Sequence, residues 1–154
     1  MDTIVALSTP WGRSGVGVIR LSGANARQIV STVCPGAAPW VERRATLRQA
    51  KDTAGRVLDD VLVVWMAGPR SYTGEDVVEL SGHGNPVVLS ALIDTLIEAG
   101  ARPARPGEFT RRALENGRTD LLRAEALSAL ISARTLAGVH DARQGLSGVL
   151  AEGA

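Results

Sequence analysis

Residues 71–86 read SYTGEDVVELSGHGNP, and this stretch predicts the centre of the fold. Its pattern indicates a polar loop, a short strand, a glycine-bracketed turn and the first turn of a helix. Val78 and Leu80 fall on one face of the strand, whereas Glu79 falls on the other. A carboxylate in the middle of a strand is costly to bury unless it is paired. Glu79 is therefore the first residue for which a specific partner must be sought.

The chain on either side of this stretch alternates between strand and helix patterns. Four further strands are predicted over residues 3–9, 16–22, 46–51 and 57–66, and helices over residues 25–33, 86–99 and 108–116. A hairpin turn at residues 52–55 joins two of the strands. The pattern predicts an α+β (α/β) fold in which helices pack on a mixed sheet.

The last part of the chain has a different character. One long helix is predicted from Asp120 to about Val139. Its apolar stripe is wide for a helix with so little chain left to cover it. The stripe consists of Leu122, Ala126, Ala129, Ala133 and Leu136. We therefore expect residues 1–118 to form one domain and residues 119–154 to be the beginning of a helical domain.

Composition limits the classes of function. The 154 residues contain 17 Lys+Arg and 16 Asp+Glu, so the net charge is +1 and no general nucleic-acid surface is indicated. The single cysteine, Cys34, excludes an intrachain disulfide and suits a reducing cytoplasm. We expect no signal peptide, and the longest apolar run, residues 61–68, is too short to span a bilayer.

The common catalytic and metal-binding motifs are missing from the sequence. It contains no G-x-x-x-x-G-K-[ST] phosphate loop and no G-x-S-x-G nucleophile elbow. The glycines at 12, 15 and 17 do not have dinucleotide-binding spacing. His83 and His140 lie alone, without metal-ligand spacing. We therefore assign no catalytic residue and no metal ligand.

Two charged residues embedded in strands remain as candidates. Arg20 is in phase with Val16 and Val18 on its strand, and Glu79 is in phase with Val77 and Ser81 on its own. The two could neutralise each other as a cross-strand ion pair. Alternatively, they recognise a heterocycle or an anionic tail, because a carboxylate accepts two parallel bonds from a flat N–H edge and arginine forks onto oxygens. The residues alone leave both interpretations open.

Other polar residues near these positions have ordinary structural interpretations. Glu75 and Asp76 follow Gly74 as turn-formers. His83 is interpreted as a loop histidine bonded to backbone, and Glu108 as a carboxylate that favours a helix N-terminus.

Several sequence blocks, in the same order, resemble the N-terminal region of the tRNA-modification GTPases called MnmE or TrmE. The blocks are residues 2–6, 9–23, 71–85, 106–118 and 120–121. The resemblance implies a domain that binds a tetrahydrofolate, with 5-formyl-tetrahydrofolate as the associated form, and that is related to the folate domains of aminomethyltransferases. It also implies a homodimer formed through this domain. The folate-contacting positions of the family match Arg20, Glu79 and Arg118.

The sequence departs from the family pattern at three positions and lacks one of the family's domains. Arg118 replaces the lysine that is usual in the family, which keeps the charge but changes the hydrogen-bond geometry. Trp11 stands where a proline is common, and Asn85 where a glycine is common. The family's GTP-binding domain is absent from this chain, which by itself is not expected to be catalytic.

In the family, the folate supplies a one-carbon unit for modifying C5 of a wobble uridine in tRNA, together with a flavin-containing partner protein. The resemblance thus implies a cytoplasmic folate-holding module. On this hypothesis Glu79 accepts the pterin N–H edge, while Arg20 and Arg118 contact carbonyl or carboxylate oxygens. Two alternatives stay open: a structural dimerisation module without a ligand, and a small nucleic-acid-binding domain that uses its arginines.

Overall fold

The computed structural model describes the backbone of residues 2–152 and the side chains of residues 2–146. The strands are β1 (Ile4–Leu7), β2 (Ser14–Ser22), β3 (Thr46–Lys51), β4 (Val57–Met66), β5 (Val77–Gly84) and β6 (Arg102–Pro103). The helices are α1 (Ala26–Val33), α2 (Pro86–Glu98), α3 (Glu108–Glu115), α4 (Leu121–Ser132) and α5 (Leu136–Glu152).

The six strands form one mixed sheet in the order β3-β4-β5-β2-β1-β6. Neighbouring strands are antiparallel except for β6, which runs parallel to β1. The stretch that centres the sequence pattern forms β5, which lies between β4 and β2 in the middle of the sheet. The predicted α+β class with a mixed sheet is confirmed.

Helices α1 and α2 cover one face of the sheet, and the core lies between them and the strands. The alternation of apolar residues dictates this arrangement, because every second residue of β2, β4 and β5 faces the helices. The largest core side chains are Ile19, Leu21, Leu80, Leu92 and Leu96. Cys34, at the end of α1, is fully buried in the same core. Helix α2 contributes a third buried side chain, Leu89, to this core.

The opposite face of the sheet carries the candidate residues. Ala6, Arg20, Glu79 and Val64 are aligned in register across β1, β2, β5 and β4. Because Arg20 and Glu79 are direct cross-strand partners, their side chains leave the sheet on the same side. The antiparallel register therefore pairs the two charges that the sequence pattern singled out.

The long helix predicted from Asp120 to about Val139 is wrong, because two helices occupy this region. Ala133 has an extended backbone that ends α4. The Thr135 hydroxyl then accepts the Gly138 N–H at 3.0 Å and caps the start of α5. Helices α4 and α5 pack on each other, but α4 has no buried side chain, and Leu122 and Ile131 are exposed. The domain boundary at residue 119 stays a prediction.

Among residues 2–152, no helix combines the length and the apolar character needed to cross a bilayer.

Candidate ligand-binding site

Arg20 and Glu79 form a loose ion pair on the open face of the sheet. The distance between Arg20 Nη2 and Glu79 Oε1 is 3.6 Å, and about a quarter of each side chain is exposed. At this distance the charges attract each other without a hydrogen bond. Within the described part of the chain, the buried Nε of Arg20 has no hydrogen-bond partner. The pair thus keeps polar atoms available for a third group.

A cavity of about 420 Å³ opens beside Arg20. Two aromatic rings form part of its wall: the Arg20 guanidinium lies 5.3 Å from the ring centre of Tyr72 and 5.8 Å from that of Phe109. The rest of the wall comes from residues 6–8, residues 104–107 and Thr110. An arginine between two rings at this distance gains cation–π attraction. The cavity therefore combines flat apolar surfaces with a cationic fork.

Helix α3 and the loop of residues 70–76 are joined by side chains and form the wall of the cavity. The Tyr72 hydroxyl lies 2.9 Å from the Thr110 hydroxyl, and Asn116 Nδ2 donates to the Thr73 carbonyl at 2.8 Å. Arg118 Nε donates to the Ser71 carbonyl at 3.1 Å. These contacts hold the loop of residues 70–76, including Tyr72, against α3 and the residues that follow it.

A buried network of ion pairs connects α3 to the N-terminus and to the loop before β5. The Arg112 side chain is fully buried, and its guanidinium contacts Glu75, Asp2 and Glu108 at 3.0, 2.6 and 3.4 Å. Arg102 donates to Glu108 at 2.5 Å. The hydrogen bond from Arg102 holds the pKa of Glu108 at about 2 and, with Arg112, that of Asp2 at about 2.

This network revises two sequence interpretations. Glu108 does begin α3, but it is buried and bonded to Arg102 as well as to the Arg105 N–H. Glu75 follows a turn, yet its carboxylate binds Arg112 and the Ser22 hydroxyl. The sequence pattern did not single out Arg112. Its spacing of four residues from Glu108 is a usable signal, since residues at that spacing share a helix face.

A second cavity, of about 320 Å³, is also lined by Tyr72. Its wall includes Arg43, Arg70 and Arg118 together with Met66. Tyr72 lines both cavities. The structure therefore brings Arg20 and Glu79 together and places Arg118 in the adjoining cavity. Arg43 and Arg70 lie in loops, where no periodic pattern marks them.

His83 has a specific partner on the neighbouring strand. It lies in β5, and its Nδ1 is 2.7 Å from Asp59 Oδ1, while its backbone N–H donates to Asp59 Oδ2 at 2.8 Å. The expectation of a loop histidine bonded to backbone is therefore wrong. The hydrogen bond to Asp59 raises the pKa of His83.

The fold and these side chains define an α+β domain with two adjoining cavities beside an open sheet face. The chain belongs to the family described as "GTP-binding protein TrmE N-terminus", whose sequence model matches residues 3–118. The resemblance inferred from the sequence blocks is thereby confirmed.

Similar proteins match nearly the whole chain. It is 49% identical over 152 residues to the tRNA modification GTPase MnmE of Halorhodospira halophila, a match covering 98% of this chain and 32% of that protein. It is 49% identical over 146 residues to the protein of that name from Acinetobacter baylyi, covering 95% of this chain and 31% of the relative. The Xanthomonas oryzae pv. oryzae protein is 47% identical over 148 residues, with 96% and 33% covered. The chain thus spans about a third of the length of these relatives.

Proposed function

We propose that this chain is the folate-binding and dimer-forming module of a tRNA modification GTPase, with 5-formyl-tetrahydrofolate as its ligand. The observation that carries the proposal is the loose Arg20–Glu79 pair beside an aromatic-walled cavity. A pair that existed only to neutralise itself is expected to close to hydrogen-bond distance. This one leaves a carboxylate and a guanidinium that can each bond a ligand.

The polar atoms fit the chemistry of a pterin. A pterin presents adjacent N–H and NH2 donors on one flat edge, and the Glu79 carboxylate can accept both. The unpartnered Nε of Arg20 can donate to a ring or amide oxygen. Tyr72 and Phe109 offer flat faces for the rings of the ligand.

The third proposed contact, Arg118, serves the opposite end of the ligand. It lies in the adjoining cavity, which shares Tyr72 with the first one. A folate is a flat bicyclic ring joined through a benzoyl group to a glutamate with two carboxylates. We assign the ring end to Glu79 and Arg20, and the carboxylate end to Arg118.

When bound, the folate supplies a one-carbon unit. The residues of this chain bind and orient it, and they hold no catalytic role in the proposal. In the complete protein we propose that this unit is used to modify C5 of a wobble uridine in tRNA, in the cytoplasm and with a flavin-containing partner protein.

Calorimetric titration with 5-formyl-tetrahydrofolate tests the proposal. We expect Glu79→Gln to weaken binding by at least about tenfold, because it removes a charged acceptor. Asp94→Asn is a matched control, since Asp94 is exposed on α2 on the other side of the sheet. Unchanged affinity in Glu79→Gln would remove Glu79 from the site, and no binding by the unaltered chain would refute the folate assignment.

A structural dimerisation module without a ligand is the second candidate. It is favoured by exposed apolar side chains on the open sheet face, where Leu47 and Leu62 are direct cross-strand neighbours that are 68% and 46% exposed. Sedimentation that gives a dimer, together with the absence of folate binding, would select it. A nucleic-acid-binding domain would instead show tRNA affinity that falls steeply with salt.

A further inference from the structure

The second cavity, of about 320 Å³, concentrates positive charge. Arg43, Arg70 and Arg118 all line it. Arg118 donates a hydrogen bond from its Nε to the Ser71 carbonyl. Among the described side chains, no carboxylate forms an ion pair with Arg70 or Arg118, and Arg43 has only a 3.7 Å contact with Glu42, which is itself partly exposed. The cavity therefore has a surplus of guanidinium groups.

The backbone of this cavity is also unusual. Arg43 has φ of 61°, the left-handed conformation that a residue with a side chain rarely adopts. Its N–H donates to the Trp65 carbonyl at 2.7 Å, and its guanidinium donates to the Arg70 carbonyl. Such strained residues persist where their surroundings hold them in place, and they concentrate at ligand-binding sites. Here the strained residue is one of the three arginines.

We infer that this cavity binds an extended carboxylate tail, so that the ligand of the site is a folate carrying several linked glutamates rather than one. This inference rests on the proposed function. Arg118 takes the carboxylate of the first glutamate, and Arg43 and Arg70 take those of the following ones. Each added glutamate brings one more carboxylate, which matches the planar fork of an additional arginine.

The surroundings favour such a tail over a nucleic-acid backbone. Tyr72 lines both this cavity and the one proposed for the ring system, so the two cavities adjoin and a single extended ligand can occupy both. Met66 and Tyr72 supply apolar wall against which the methylene groups of linked glutamates pack. The chain as a whole is nearly neutral, at +1, so its net charge does not favour general nucleic-acid binding.

The test compares calorimetric titrations with 5-formyl-tetrahydrofolate carrying one or three glutamates. We expect the unaltered chain to bind the triglutamate about tenfold more tightly, because added charge-assisted hydrogen bonds form. In Arg70→Ala and Arg43→Gly the ratio of the two affinities falls towards one. Glycine is chosen at residue 43 because it adopts the left-handed conformation without strain.

Arg56→Ala is the matched control. Arg56 is an exposed arginine in the turn between β3 and β4, and its removal lowers the net charge by the same amount. We expect this variant to keep the full preference for the triglutamate. A loss of preference in Arg56→Ala equal to that in Arg70→Ala would attribute the effect to net charge and overturn the inference.

The remaining outcomes separate this inference from the proposed function. Equal affinity for both forms overturns the inference and leaves folate binding in place. Binding of neither form refutes both. Weaker binding of an unmodified tRNA transcript by Arg70→Ala, with the triglutamate preference unchanged, assigns the arginines to nucleic acid and also overturns the inference.

Discussion

Arg112 Nη1 lies 3.0 Å from Glu75 Oε1, and this contact joins helix α3 to the loop that precedes β5. The cavity beside Arg20 is built on both segments, because Phe109 of α3 and Tyr72 of the loop line it, and Tyr72 lines the second cavity as well. The buried pair therefore determines how far apart the walls of the proposed ligand site stand.

Removing Arg112 is expected to destabilise the domain strongly. In Arg112→Met the carboxylates of Glu75 and Asp2 lose their shared partner, and breaking a buried pair from one side typically costs about 3–5 kcal/mol. Urea denaturation measures the loss. Arg111→Met is the neighbouring control: Arg111 is 56% exposed, and its looser contacts with Glu115 at 3.6 Å and Glu108 at 3.7 Å are expected to contribute about 0–1 kcal/mol. Equal losses in both variants would contradict a special role for Arg112.

Stability is expected to fall in acid because of Glu108. Its pKa in the folded chain is about 2, against an ordinary 4.5, through its hydrogen bond from Arg102. A carboxyl whose pKa is lowered by folding stabilises the fold above about 4.5, and this stabilisation is lost as the pH falls from there to about 2. Urea denaturation at several pH values in this window measures the slope.

Glu108→Gln provides the comparison for that slope, because glutamine keeps the shape of the side chain and does not titrate. Its unfolding free energy is expected to be lower near neutral pH and to depend less on pH below about 4.5. If Glu108→Gln and the unaltered chain lose stability in parallel, other carboxyl groups cause the acid sensitivity.

Periodicity predicted the parts of the fold that depend on short-range pattern. The bounds of β3 and β4 coincide with the predicted ranges, and α2 begins at Pro86 as expected. The alternation of β5 placed Glu79 opposite Val78 and Leu80, so the open face of that strand was predictable. The break at Ala133 was not, because the apolar pattern runs on across it while the backbone turns.

The site was predictable only where strands carry it. Arg20 and Glu79 interrupt apolar alternation, and that interruption marked them. Arg43 and Arg70 lie in loops, whose path depends on contacts with distant residues. The spacing of Arg112 from Glu108 indicates a shared helix face, but its contact with Asp2, 110 residues away in the chain, leaves no local pattern.

The titration of His83 is expected to depend on Asp59. The hydrogen bond that the His83 ring donates to the Asp59 carboxylate raises the pKa of His83, with a smaller contribution from the charge of Asp60. In Asp59→Asn the pKa of His83 falls, and in Asp60→Asn it falls less. Imidazole resonances followed by NMR measure both shifts, and the reverse order would refute the pairing.

The same pair has a consequence for stability. Because folding raises the pKa of His83, its contribution is fully present below about pH 6.5 and is lost as the pH rises through the folded-state value. This dependence is expected to weaken in Asp59→Asn, which leaves only the smaller contribution of Asp60.

Gly74→Ala is expected to loosen the loop from α3. Gly74 has φ of 82°, and an added Cβ would lie 2.8 Å from Asn116 Cβ, next to the bond from Asn116 to Thr73. We expect a loss of about 2–4 kcal/mol from backbone strain and a weakened hydrogen bond. Thermal unfolding measures it.

Gly55→Ala measures the cost of backbone strain without the steric crowding expected in Gly74→Ala. Gly55 has φ of 81°, but no atom lies within 4 Å of the added Cβ. Only the backbone cost remains, about 1–2 kcal/mol. A loss in Gly74→Ala no greater than this would show that Asn116 moves aside freely.

Because Cys34 is buried, its reaction with alkylating reagents reports on local opening of the fold. Burial raises the pKa of its thiol to about 12, although Arg48 opposes this, so the sulfur is protonated at neutral pH as well as covered. Alkylating reagents react with exposed thiolate. Since the sequence has no other cysteine, the speed of alkylation measures how often α1 lifts from the sheet. No dye or engineered probe is needed to follow that opening.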